Sequence, residues 1–139
     1  MLALQSIYMM RNERSIQVKA YKLMRRLHDG NVYPLFINKT VPIKFGEWQE
    51  AHCYPTKGFA IRTGWHMTFL PYAPHLKEKL SNGEQRVWVE CEIKDGYWTT
   101  YNRPESQGGR WILSMWMKPV RILSDKEVKQ LNENRKEVA

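Results

Sequence analysis

Cysteine is scarce. Cys53 and Cys91 are the only two in 139 residues, and neither stands in a CxxC or Cys/His spacing, which excludes a disulfide scaffold and a zinc-finger or zinc-ribbon domain. Long apolar runs are missing as well. No stretch approaches the roughly 20 residues needed to cross a bilayer, and the N-terminal MLALQSIYMMRNER places its charges after its apolar run, the reverse of a signal peptide. A cytoplasmic chain with reduced, buried thiols is expected. The GxSxG, GxxxxGK[ST] and GxGxxG motifs are absent, so the best-marked hydrolase, NTPase and dinucleotide signatures are not present. The four histidines, His28, His52, His66 and His75, include no i, i+4 pair, so no metal or other cofactor is expected from them. No repeat, low-complexity tract or Gly/Ser linker marks a domain boundary.

What is present suits an ordinary folded domain. The chain is 42% apolar and 26% charged, and six Trp, seven Tyr and four Phe supply bulk for a core. A chain of this length can bury about two-thirds of its unfolded surface. The expected organisation is an N-terminal extension over residues 1–18 followed by one globular domain over 19–139. The net charge is +8, distributed as +4 over residues 1–30, +3 over 31–80 and +1 over 81–139. Such a positive field, concentrated in the first 80 residues, favours polyanions such as nucleic acid or a phosphate-bearing ligand.

The clearest element is the strand Gln85 to Ile93, in which Val87, Val89, Cys91 and Ile93 alternate with Arg86, Trp88, Glu90 and Glu92. A strand is also expected over Lys19 to Met24, although VKAYKLMRRL fits a helical face nearly as well. A turn at His28–Asn31 should lead into a strand at Val32–Ile37. Further strands are expected at Gly58–Arg62, Tyr97–Tyr101 and Arg110–Ile122, the last with Pro119 marking an edge or bulge. Gly46–Ala51 reads as either a helical turn or a strand, and Pro74–Leu80 as a short helix. Ser124-Asp125-Lys126-Glu127 is a capping box that should open a C-terminal helix burying Val128 and Leu131. The sum is an α+β fold, a mostly antiparallel sheet of about six strands with two or three short helices.

Chemical groups concentrate in Gly58–Thr68. Arg62, Thr63, Trp65, His66 and Thr68 bring a cation, two hydroxyls, an indole and an imidazole together, a set able to hold a phosphate. The plain alternative is a tight turn with His66 packed beside Trp65. Glu90 and Glu92 share one face of the best strand, about 7 Å apart, where they serve either acid/base chemistry or simply a solvated face. Basic and aromatic residues interleave between Lys44 and Tyr72 and again between Trp98 and Trp116, the mixture that a stacking platform for single strands requires. Trp88, Trp98, Trp111 and Trp116 cannot all be buried on alternating strands, so an exposed Trp is expected.

In order, YPLFI, FGEW, GFAIRTGWH, APHL, RVWVECEI and VRILSDKEV resemble an uncharacterised family of phages and mobile elements, over roughly Lys19 to Val128. That family usually shows Arg-Pro-Gly-Trp-His where this chain has Arg62-Thr63-Gly64-Trp65-His66. The resemblance implies a setting, a small phage or mobile-element accessory module, and little mechanism; the basic, aromatic N-terminal two-thirds adds the expectation that the module binds nucleic acid or a nucleic-acid-associated partner. More distantly, the chain resembles ADP-ribosyltransferase-like folds, with Tyr21, Arg25, Gly64, His66, Thr68, Glu90 and Glu92 in matching places. That likeness implies NAD as cofactor, His66 and Arg62 touching the dinucleotide, and Glu92 polarising a ribose hydroxyl, with Glu92 and His66 as catalytic residues. The His-Gly of the first strand in those folds is missing here.

Overall fold

The computed structural model describes residues 18–36, 40–51, 64–76 and 85–138, with side chains described through residue 133. Eight strands are present: β1 (Val18–Arg26), β2 (Val32–Tyr33), β3 (Gln49–Glu50), β4 (Trp65–Thr68), β5 (Gln85–Ile93), β6 (Trp98–Asn102), β7 (Arg110–Ser114) and β8 (Trp116–Ile122). A 3-10 turn at Glu105–Gln107 and the C-terminal helix α1 (Asp125–Val138) complete the described elements. The strands form one antiparallel sheet in the order β3-β8-β5-β1-β4-β7-β6, with β2 added beside β1.

The α+β class and antiparallel pairing hold, while the counts differ from those expected. There are eight strands instead of about six, and one α-helix with one 3-10 turn among the described residues instead of two or three short helices. Two of the extra strands, β2 and β3, are two residues long and exist through their partners alone. β2 stops at Tyr33 instead of running on to Ile37 because Pro34 has no N–H to continue a ladder. The single strand expected over Arg110–Ile122 breaks at Met115 into β7 and β8. The Gly58–Arg62 strand and most of the Pro74–Leu80 helix lie outside the described residues, as do Cys53, His52 and residues 1–17.

The break at Met115 shapes the molecule. In a flat sheet β7 and β8 would stand four strand spacings apart, about 19 Å. The one residue between Ser114 and Trp116 spans about 7 Å at most. The sheet must therefore coil until its flanks meet, and the contacts agree. The Trp65 indole on β4 donates to the carbonyl of Gln49 on β3 at 3.0 Å, Ala51 N–H bonds Met115 O at 2.8 Å, and Met115 N–H bonds Tyr97 O at 2.9 Å. A bulge on β8 bends the strand where Pro119 withdraws a ladder donor: β5 partners shift from Arg121 to Pro119 and skip Val120.

Coiling gives the sheet two buried faces. Ala20, Met24, Met67, Val89, Cys91, Ile93, Ile112 and Met117 fill the inside. Tyr21, Leu23, Trp88, Trp111 and Leu123 form a second layer outside, covered by Leu76 and by Val128 and Leu131 of α1. The helix start is a reciprocal capping box, Glu127 N–H to Ser124 Oγ at 3.2 Å and Ser124 N–H to Glu127 Oε1 at 3.1 Å. Burial on both faces is why β1 shows no clean period in the sequence. It also corrects two expectations. None of the six Trp is exposed, and Glu90, for which a solvated face is one of the two readings, is 7% exposed.

Candidate functional site

β1 forks along the edge that faces β4. Tyr21 pairs with Thr68 of β4, whereas Arg25 and Arg26 pair with Tyr33 and Val32 of β2. Lys22 sits at this fork and donates its ammonium to the carbonyl of His66 at 2.8 Å. Burial pushes the Lys22 pKa down to about 8, the nearby Cys91 thiol opposes that shift, and the positive charge of Arg103 adds to it. Burial in turn pushes the Cys91 thiol well above its usual range.

On the outer face beside the fork, β4, β7 and β6 bring three distant segments together. His66 pairs with Leu113, and Tyr101 with Trp111, so His66, Tyr101 and Trp111 project on one side. His66 Nδ1 lies 2.7 Å from the Tyr101 hydroxyl, and Arg103 Nε donates to that same hydroxyl at 3.3 Å. With Tyr101 accepting from Arg103, its own proton is directed at His66 Nδ1, which puts the imidazole proton on Nε2. The Arg103 guanidinium also lies over two rings, 4.7 Å from the Trp111 centroid and 5.4 Å from that of Tyr101. Trp111 is anchored by its indole N–H on Gln107 O at 2.7 Å, and His75 meets it edge-on at 5.6 Å.

The electrostatics of this cluster are one-sided. Among the described residues no carboxylate pairs with Arg103. Its neighbours register the charge: the His75 pKa is lowered, first by burial and then by Arg103. The acids are engaged elsewhere. Glu90 takes Arg121 at 3.1 Å and Lys19 at 3.8 Å, Arg121 also binds Glu127, and Glu92 pairs with Lys118 at 3.7 Å. Half-buried Arg103 thus places on the outer face a positive charge that no carboxylate among the described residues pairs, with exposed His75 beside it.

The residues singled out in the sequence divide. His66 belongs to this cluster. Thr68 is buried, its hydroxyl held at 2.5 Å from Leu70 O and 3.2 Å from Tyr21 O, which makes it a backbone clasp. Trp65 turns to the opposite face and packs on the inner core. Tyr21 is a buried member of the outer core, and burial beside Glu90 raises its pKa. Arg25 lies at the far arm of the fork, 5.9 Å from the Tyr33 ring. Arg62 and Thr63 lie outside the described residues. Glu92 is not brought to His66: the register sets them two strands and about four positions apart, roughly 16 Å. Sequence reading missed Tyr101, Arg103 and His75, although the aromatic and basic interleaving that begins at Trp98 touched the first two. No group of three or more His, Cys, Asp or Glu that could hold a metal occurs among the described residues, and no described helix is long and apolar enough to cross a membrane.

No protein-family model, no curated protein and no solved structure matches the chain.

Proposed function

We propose that the protein binds nucleic acid through its phosphates, with the outer face around Arg103 as a principal contact. The observation that carries this reading is the Arg103 guanidinium, lying over the Trp111 and Tyr101 rings and lacking a carboxylate among the described residues. With Nε donating to the Tyr101 hydroxyl, the Nη1/Nη2 edge of the guanidinium remains, and that edge offers paired donors that match phosphate oxygens. His75 adds charge when protonated, and the overall +8 extends the attraction beyond the site. A role as an accessory module of phages or mobile elements would follow from the sequence resemblance alone.

The test is anisotropy titration of labelled single- and double-stranded oligonucleotides across a salt series. Log affinity should fall linearly with log salt, with a slope of about −0.7 per phosphate contacted on single strands and −0.9 on duplex. Absence of binding at low salt would dismiss the reading. Among the described residues the dinucleotide-using alternative is not favoured: Glu92 is paired with Lys118 and stands apart from His66.

A further inference from the structure

A second aromatic and cationic cluster lies at the turn joining β5 to β6. Tyr97 N–H bonds Lys94 O at 3.2 Å to close that turn, and the Lys94 ammonium lies over the rings of two indoles. Its ammonium is 4.8 Å from the Trp48 ring centre and 4.2 Å from that of Trp116. Lys118 lies 5.8 Å from the Trp48 ring centre, and Tyr97 is 55% exposed. Trp48 is presented by a connector held in shape by Gln49, whose side chain bonds Lys44 N–H at 3.2 Å and Lys44 O at 3.0 Å. Because the rings share one ammonium, their centres stand no farther apart than about 9 Å. A flat ring stacked between two others needs about 7 Å. Lys94, like Arg103, has no carboxylate partner among the described residues.

We infer that Trp48 and Trp116 form a slot for one unpaired nucleobase, which Lys94 fills until the base enters. The inference rests on the nucleic-acid reading and narrows it to single strands, since a paired base within a duplex cannot offer both faces to the protein. Displacement suits Lys94: its stem is flexible, and once off the rings its ammonium meets the phosphate beside the inserted base. Lys118, paired with Glu92 at 3.7 Å, adds a further charge near Trp48. Stacking of this kind contributes about 5- to 150-fold in affinity per base.

The experiment compares oligothymidine, an abasic strand of the same length and a duplex, each labelled and titrated at one salt concentration. Wild type should bind oligothymidine about tenfold or more tighter than the abasic strand. Trp116→Ala and Trp48→Ala should each abolish that preference without changing the salt slope, and Trp48→Ala, on the connector, reads the slot if the Trp116 variant does not fold. Equal binding of oligothymidine and the abasic strand by wild type would overturn the slot and leave the phosphate reading standing. So would a preference that survives in a folded variant, or a duplex bound as tightly as oligothymidine. Failure of all three to bind at low salt would overturn both readings.

Discussion

Lys22 Nζ and the carbonyl oxygen of His66 are joined by a 2.8 Å hydrogen bond across the fork where β1 divides between β4 and β2. A side chain thus serves a backbone acceptor beside a ladder that has a single paired position. The arrangement puts an ammonium on the inner side of the sheet, next to Cys91, and ties the strand bearing His66 to the centre of the fold.

This contact has a consequence for pH. The Lys22 pKa falls from 10.5 to about 8 in the folded protein, so between those values the unfolded chain binds more protons and stability rises with pH. Below about pH 8 the burden of the buried charge is present in full. Melting temperatures of wild type and Lys22→Met, measured from pH 7 to 10, should show wild type gaining on the variant. Parallel profiles would show that Lys22 titrates normally.

Arg103→Ala should weaken oligonucleotide binding and reduce the magnitude of the salt slope by roughly one phosphate contact, about 0.7 on single strands. Its cost to stability should be about 1 kcal/mol or less, the worth of cation–π contacts with Trp111 and Tyr101. Arg103→Lys retains the charge without the planar donors and should fall between. A drop in melting temperature with unaltered binding would make Arg103 structural.

Gly64→Ala should destabilise by about 2 kcal/mol or more. Gly64 has φ +150°, and a Cβ there would meet Leu113 Cδ1 at 2.5 Å and Cγ at 2.7 Å. Denaturant unfolding measures the loss. An unchanged midpoint would mean that the β4–β7 pair accommodates a methyl group.

Ser124→Ala removes the side-chain acceptor for Glu127 N–H at the start of α1. The expected cost is about 1 kcal/mol, accompanied by fraying at the helix start that amide exchange of the first turn would report. No change in either would show that Glu127, through Arg121 and the Ser124 N–H, holds the helix start unaided.

The parts legible in the sequence are those made by neighbours along the chain. The β5 limits, Gln85 and Ile93, follow from strict alternation, and the start of α1 follows from Ser124 and Glu127, whose reciprocal bonds span three residues. The turn at Asp29–Asn31 is equally local: Asp29 Oδ1 accepts Asn31 N–H at 2.9 Å, and Gly30 takes φ +80°. Tertiary structure decided the rest. Trp65 and His66 are adjacent in sequence, yet their pleat sends one to the inner core and the other to Tyr101. That His66 meets Tyr101, whose hydroxyl also takes Arg103, depends on the order β4-β7-β6, and that Trp48 and Trp116 share the Lys94 ammonium depends on β3 adding to β8. These pairings join residues 35 to 68 positions apart. No local periodicity encodes them, because register between distant strands is set by how the whole sheet coils to bury both its faces.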